Sequence, residues 1–570
     1  HERALLRDAL LERSSEEGDA AWLLAQLLDY HRREAKPQWW EWFLHLSLGE
    51  EELIADTDTI GGLELVDAPE PDKGSLVYTF TFPEQEHKIG GDAVDPATEK
   101  RYDVQVDDEL GRLALRRSRN RADEPLPRAL IPPPPIYDGD QREALARLAQ
   151  RYLEGGGSPA VRAVLGRELP RARLDLPPVE AVATISDSYL FVQGPPGSGK
   201  TWQGAKMAVA LMRAGKRVGV TSLSHKAIHK LLEEIEREAL EQGFAFRGRK
   251  KSTGGNEESR FEGRFVDSAD GWQDMLGEEL QLVAGTSWLF AREPFEGFCD
   301  TLFVDEAGQV SLADALAMGS VARNLVFLGD PNQLPQVSQG AQPGEAKVSV
   351  LQHLLGDFET VPPERGIFLA ETWRLRPELC DFTSEAYYEG RLRPAAVSAR
   401  RTLAAGDGLV LAEAEHAGRS QSSWEEADAV AAAIRALLGT PFTDGRGTRA
   451  LAPEDFLVVA PYNAQVRWLS QRVPHGVRVG TVDKFQGQEA PVVLVSMASS
   501  SAEDAPRGIG FAFDRHRVNV ATSRAQCRVV LVCAPRLLDA DCKTVSDMQL
   551  VNAVCRFAEL ARREAQAPLR

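Results

Sequence analysis

Apolar positions along this chain change their period as it advances. Up to about residue 62 they recur at helical spacing, in Leu5, Leu6, Leu10 and Leu11 and then from Trp22 to Leu28. This predicts an N-terminal helical, stalk-like region over residues 1–62. Trp39, Trp40, Trp42 and Phe43 form an aromatic cluster within it, expected to pack in a core or between domains. From 63 to 130 the pattern alternates. Residues 77–82, 102–106 and 112–115 carry β-formers, and Gly90, Gly91 and Gly111 punctuate them, which predicts a small β-barrel or antiparallel sheet. Arg112, Arg116, Arg117, Arg119 and Arg121 give its end a basic face.

Four prolines at 132–135 open a linker with two short helix candidates, over residues 131–175. Beyond it, short unbroken apolar runs alternate with helical periods. One series, over 176–358, has runs at 190–192, 217–221, 282–286, 301–304 and 325–328. A second, over 359–570, has runs at 367–369, 409–411, 456–459, 492–495 and 529–532. Strands alternating with helices predict parallel sheets, hence an α/β fold of two stacked domains. Between about 241 and 279 the periodicity fades, and a surface insertion is expected. Its basic run at 247–251 is a candidate nucleic-acid contact.

The totals narrow the picture only a little. A chain of 570 residues is too long for one core. No apolar run is long enough to cross a bilayer, so no membrane partner is expected. The six cysteines form no C-x-x-C pair, and core packing accounts for those in the run CRVVLVC. A reducing cytoplasm is the expected location. The net charge of −19 disfavours indiscriminate nucleic-acid binding but leaves room for a local basic groove. The first residue, His1, is not an initiator Met, so a piece of a longer protein is expected.

Chemistry concentrates at the stretch LFVQGPPGSGKT, residues 190–201. Gly194, Pro195, Pro196, Gly197, Ser198, Gly199, Lys200 and Thr201 fit the phosphate-loop pattern, an apolar strand precedes them and a helix follows. Backbone N–H groups must converge on phosphate oxygens there, and side chains at Gly197 and Gly199 would obstruct them. The helix that follows turns its positive end to the phosphates. ATP with Mg²⁺ is the expected ligand. Lys200 reaches the β- and γ-phosphates, Thr201 holds the metal, and Trp202 lies beside them.

A second apolar strand ends in Asp305 and Glu306. Asp305 is the expected metal ligand with Thr201, and Glu306 orients or deprotonates the attacking water. Growing charge on the γ-phosphate calls for cations and a sensor. Arg374, Arg524 and Gln333 are the candidates.

These stretches occur as an ordered set: GPPGSGKT, SLSHKAIHKLL, AGTSWLF, DEAGQ, GDPNQLPQV, ETWRLRPEL, APYNAQV, VGTVDKFQGQE and NVATSRA. The set resembles the superfamily 1 helicases of the 5′-to-3′ branch, which includes the nonsense-mediated-decay helicase and the replication helicase-nuclease. The resemblance implies two RecA-like P-loop-type domains with single-stranded nucleic acid running across both. It makes Arg374 and Arg524 the γ-phosphate arginines, Gln333 the sensor and Glu489 a ribose contact. Trp373 stands where the family commonly has Tyr and can still stack on adenine. The family often has an adenine-reading Gln upstream of the phosphate loop, and residues 176–180 contain none.

For the strand, the resemblance points to Ser224, His225, Thr286, Tyr462, Asn463, Thr481 and Asp483. The small barrel resembles the accessory domain that this branch carries on a helical stalk. The N-terminal region resembles the helicase half of bacterial proteins with a RecB-like nuclease, which would precede His1. The function implied is an ATP-driven DNA helicase and translocase acting in DNA repair. The alternatives are an RNA or ribonucleoprotein remodeller with the same motor, and a nucleic-acid clamp with a vestigial ATPase.

Overall fold

The computed structural model describes residues 2–107, 110–485, 487–506 and 508–563. His1 and Gln486, the latter inside the VGTVDKFQGQE motif, lie outside the described residues. The chain divides into two compact units. One comprises Ala25–Arg142 and Ser338–Lys347; the other comprises the rest.

The smaller unit holds the helix Tyr30–Ser47 and an antiparallel sheet. Alternation follows from the pleat: Tyr78 and Phe80, Tyr102 and Val104, Leu113 and Leu115 all point inward and are buried. Leu130 bridges Ile60 and Ile131 bridges Val94, so this short segment closes the sheet between its two ends. The basic face is narrower than expected. Arg117 is buried and donates to the carbonyls of Glu124 (3.0 Å) and Pro125 (2.8 Å), while Arg116 pairs with Asp72 and Arg121 with Glu124. The tryptophan cluster joins the core only through Trp42, which packs against the cluster of Leu53, Val94, Ala129 and Ile131. Trp40 is 64% and Phe43 55% exposed, although Trp39, Trp42 and Phe43 pack ring on ring. The segment Ser338–Lys347 lies along the same helix. Gln342 Nε2 donates to Glu34 (2.6 Å) and to the Tyr30 carbonyl (3.2 Å), and Arg33 Nε donates to Gln342 (2.7 Å).

The larger unit contains two parallel sheets. In the first, the strand order is Val266–Ala269, Gly248–Lys251, Leu282–Ala284, Val218–Thr221, Cys299–Val304, Ala322–Gly329, Tyr189–Gln193 and Ile367–Phe368. Tyr189–Gln193 is buried at each residue, because helices cover both faces of such a sheet. In the second the order is Arg478–Thr481, Phe456–Ala460, Ala490–Ser496, Ala525–Cys533, Gly408–Glu413 and Arg562–Arg563.

Two sequence expectations change here. The stretch read as a surface insertion contributes two strands to the edge of the first sheet. Glu236 anchors the outer one by accepting from the N–H groups of Arg264, Phe265 and Val266. Its basic run is solvated only in part: Arg247 is exposed, whereas Lys250 is fully buried and lies 3.0 Å from His225 Nδ1. Residues 367–368, expected to open the second series, pair instead with Tyr189–Gln193 in the first sheet.

Candidate active site

Strand order places the chemistry. The chain leaves the carboxyl ends of Tyr189–Gln193, Ala322–Gly329 and Cys299–Val304, which are neighbours, into the phosphate loop, the loop 330–333 and the acidic pair. Ligands bind at this edge of a parallel sheet. Gly197 and Gly199 have φ of +71° and +81°, in the region that favours glycine. A Cβ on Gly197 would lie 2.4 Å from Arg374 Cβ. The loop is pinned from its far side: Thr372 Oγ1 donates to the Pro196 carbonyl (2.8 Å) and Trp373 N–H to the Gly197 carbonyl (2.8 Å).

A cleft of about 280 Å³ lies against the loop. Lys200, Glu306, Gln333, Arg374 and Arg524 all line it, as does Trp202. The two sheets thus contribute to one space, as the sequence candidates require. Lys200 Nζ lies 3.5 Å from Glu306 Oε2. Glu306 has φ of +51°, a strained conformation for a non-glycine residue, which aims its carboxylate at the cleft. Burial pushes Glu306 up, but Lys200 and Arg524 outweigh it and hold the carboxyl below its ordinary value. Burial and the neighbouring Glu306 charge push Asp305 up to about 6. Burial, reinforced by Arg374, lowers Arg524 to about 9. A phosphate would relieve both arginines.

Mg²⁺ and ATP fit these residues. Thr201 and Asp305 line one cavity with Glu306, offering the oxygen ligands that the metal favours. The hydroxyls of Ser198, Thr221 and Ser222 are buried without a partner.

Two expected nucleotide contacts are placed differently. Arg374 Nε donates to Glu489 Oε2 at 2.6 Å, and Gln526 donates to Glu489 Oε1 at 2.8 Å, so Glu489 is held by two donors. The Trp373 side chain is exposed and does not line the cleft. Sequence reasoning missed Asp330, Tyr388 and Asn519, which are buried and bonded into the loop that carries Gln333. Asp330 lies in the GDPNQ stretch and Asn519 opens NVATSRA, whereas Tyr388 lies in none of the motifs. Gln193, at the end of the strand before the phosphate loop, is also bonded there, with Nε2 3.3 Å from Asp330 Oδ1.

The strand candidates fall into two groups by register. Ser224 and His225 follow Val218–Thr221, and Thr286 follows its neighbour Leu282–Ala284. Tyr462 and Asn463 follow Phe456–Ala460, and Ala460 pairs with Thr481, two residues before Asp483. The Ser224 hydroxyl accepts from Ala227 N–H and caps the helix His225–Glu241. Tyr462 is buried against Phe511, and Asp483 accepts from Arg517 at 3.4 Å. Burial and then Lys250 hold His225 low, at about 4, so its ring is neutral.

Two family models described as AAA domain match the chain, one over residues 177–348 and the other over 346–536. A DNA replication ATP-dependent helicase/nuclease of Xenopus laevis is 26% identical over 401 residues, covering 63% of this chain and 37% of its own length. Across these two matched stretches the chain is similar to superfamily 1 helicases. Rat DNA-binding protein SMUBP-2 is 24% identical to this chain over 481 residues, covering 69% of the chain and 47% of its own length. The chain therefore spans less than half the length of these curated relatives. An arterivirus nonstructural protein 10 helicase solved with DNA is 15% identical and covers 85% of this chain and 80% of its own, with a TM-score of 0.41, a loose likeness. Among the described residues no helix is long and apolar enough to cross a membrane.

Proposed function

We propose that this chain is an ATP-driven motor that moves 5′ to 3′ along single-stranded DNA and unwinds duplexes. The observation that carries the reading is the single cleft lined by Lys200 and Glu306 from one parallel-sheet half and by Arg374 and Arg524, which lie in the chain leading into and through the other. Such a space senses the γ-phosphate from both sides. Bound ATP draws the halves together and its hydrolysis lets them part.

The roles follow from chemistry and place. Lys200 and the phosphate-loop N–H groups bind the phosphates, and Mg²⁺ held by Thr201 and Asp305 supplies further positive charge there. Glu306, ionised and strained toward the cleft, orients the attacking water and takes its proton. Arg374 and Arg524 meet the charge that grows as the γ-phosphate leaves, with Gln333 placed beside Arg524. Ser224, His225 and Thr286 on one half, and Tyr462, Asn463, Thr481 and Asp483 on the other, are the proposed strand contacts. They emerge at the carboxyl edge of each sheet. Hydroxyl and backbone groups there grip phosphates without reading sequence. Domain boundaries near 62, 130 and 175, with the last one beyond Phe368 rather than at 358, and a place in DNA repair, belong to the same proposal.

The test is ATP hydrolysis without nucleic acid, with single-stranded DNA and with single-stranded RNA, followed by unwinding of duplexes bearing a 5′ or a 3′ tail. Stimulation by DNA with a 5′-tail preference is expected. Equal stimulation by RNA favours the ribonucleoprotein remodeller, a 3′-tail preference reverses the polarity, and no stimulation by either strand overturns the motor.

A further inference from the structure

Asp330 lies at the end of the strand Ala322–Gly329 in the first sheet and is buried. Its carboxylate receives four donors. Oδ1 accepts from Gln193 Nε2 (3.3 Å) and Asn332 N–H (3.2 Å). Oδ2 accepts from Gln333 Nε2 (3.0 Å) and from the Tyr388 hydroxyl (2.6 Å). None of these donors is charged. Positive charge reaches the carboxylate through Gln333, whose Oε1 accepts from Arg524 Nη2 at 3.4 Å.

Tyr388 comes from the other half. It follows the helix Pro377–Tyr387, which packs on strands of the second sheet. Its oxygen also accepts from Asn519 Nδ2 at 3.0 Å, on the helix Arg515–Thr522 that leads to Arg524. Asn519 donates again to the Asn332 carbonyl (2.8 Å), and Asn332 donates to the Tyr387 carbonyl (2.8 Å). One phenol therefore gives its hydrogen to the first half and takes one from the second, entirely out of solvent. Burial, and then the Asp330 charge, push the phenol well above its ordinary range, so it stays a donor. A short hydrogen bond to an ionised acceptor is among the stronger ones available.

We infer that Tyr388 is a positioning residue for the γ-phosphate sensor: through Asp330 it holds the Gln333 amide in place, so the sensor's alignment depends on how the second half is seated. The inference rests on the functional reading above. When Arg524 turns to a phosphate, Gln333 loses that partner. Asp330, braced by the Tyr388 hydroxyl, then keeps the amide oriented. Turnover becomes sensitive to the seating of the second half, while the phosphate loop alone sets ground-state binding.

The test compares steady-state ATP hydrolysis, with saturating single strand, in Tyr388→Phe, Gln333→Ala and the double variant. Tyr388→Phe is expected to lower kcat about tenfold and leave KM within about twofold, as for an interaction that matters after binding. The double variant is expected to be no slower than Gln333→Ala, because Tyr388 acts through Gln333. An unchanged kcat, or losses that multiply in the double variant, overturns the inference. If Tyr388→Phe does not fold, Asn519→Ala carries the test: it keeps the phenol, removes its donor and is expected to lower kcat with the same KM split. A normal kcat in that variant overturns the inference. A wild-type chain that hydrolyses no ATP overturns the functional reading and this inference with it. Normal wild-type turnover with an indifferent Tyr388 overturns only the inference.

Discussion

Arg374 and Glu489 hold each other, with Nε and Oε2 2.6 Å apart. The arginine proposed for the γ-phosphate and the carboxylate proposed for the ribose thus neutralise one another in this arrangement. The Glu489 side chain is 45% exposed, so the pair belongs at the modest end of ion-pair strengths. Glu489→Gln keeps a polar group at the ribose and releases the arginine. It is expected to tighten nucleotide binding about threefold, or about 0.6 kcal/mol. Titration with a fluorescent ATP analogue checks this, and weaker binding would show that the carboxylate contributes more to the ribose than it withholds from the phosphate.

Lys200→Ala and Glu306→Gln should fail at different steps. Without the lysine the phosphates lose their cation, and nucleotide binding and turnover fall together. Without the Glu306 carboxylate, binding survives while turnover falls on the order of 10²–10⁴-fold, the usual contribution of a positioned base. Parallel measurements of nucleotide Kd and kcat separate them. Near-normal turnover in Glu306→Gln would reassign the base.

Asp305 makes the folded chain's stability depend on pH. Its ordinary value of 3.8 is raised to about 6 by burial and by Glu306. In that window the folded chain keeps a proton that the unfolded chain releases, so this group's stabilisation is lost as pH rises through about 6. Asp305→Asn is therefore expected to melt higher than wild type at neutral pH without metal or nucleotide, with the gap closing below its ordinary range. Hydrolysis should be lost in the variant. Thermal melts across pH read the first effect, and an equal melting temperature at neutral pH would refute it.

The two positive-φ glycines of the phosphate loop should respond unequally to alanine. At Gly199 a Cβ meets nothing within 4 Å, so Gly199→Ala carries only the left-handed backbone cost of about 1–2 kcal/mol. At Gly197 the same φ penalty is joined by contacts of 2.4 Å to Arg374 Cβ and 2.9 Å to Thr372 Oγ1. Gly197→Ala must push the loop away from that segment. It is expected to destabilise more than Gly199→Ala and to weaken ATP binding further, as chemical denaturation and titration will read.

What sequence alone revealed was local. The phosphate loop, Asp305 and Glu306 each follow an apolar strand directly, so a few adjacent residues carry the whole signal. Arg374 and Arg524 needed the ordered motif set, since a single arginine has no local mark. The Tyr388–Asp330–Asn519 contacts stayed hidden, because each partner lies more than fifty residues from the next and their polar character resembles a surface. The strands Gly248–Lys251 and Val266–Ala269 were hidden for the opposite reason. Their charged residues imitate a loop, whereas backbone pairing and the Glu236 carboxylate hold them in the sheet. The tryptophans were misplaced because aromatic residues are usually buried, and here Trp40 and Phe43 lie on an open helix face.

The segment Ser338–Lys347 makes the chain inseparable at its obvious seam. It leaves the sensor loop, makes its hydrogen bonds with Tyr30, Arg33 and Glu34 of the helix Tyr30–Ser47, and returns to the sheet-bearing unit. Deleting everything before residue 143 would remove those partners and leave ten residues stranded beside Gln333. Any engineered or natural exchange of the accessory unit must carry residues 338–347 with it, as a second, matched graft.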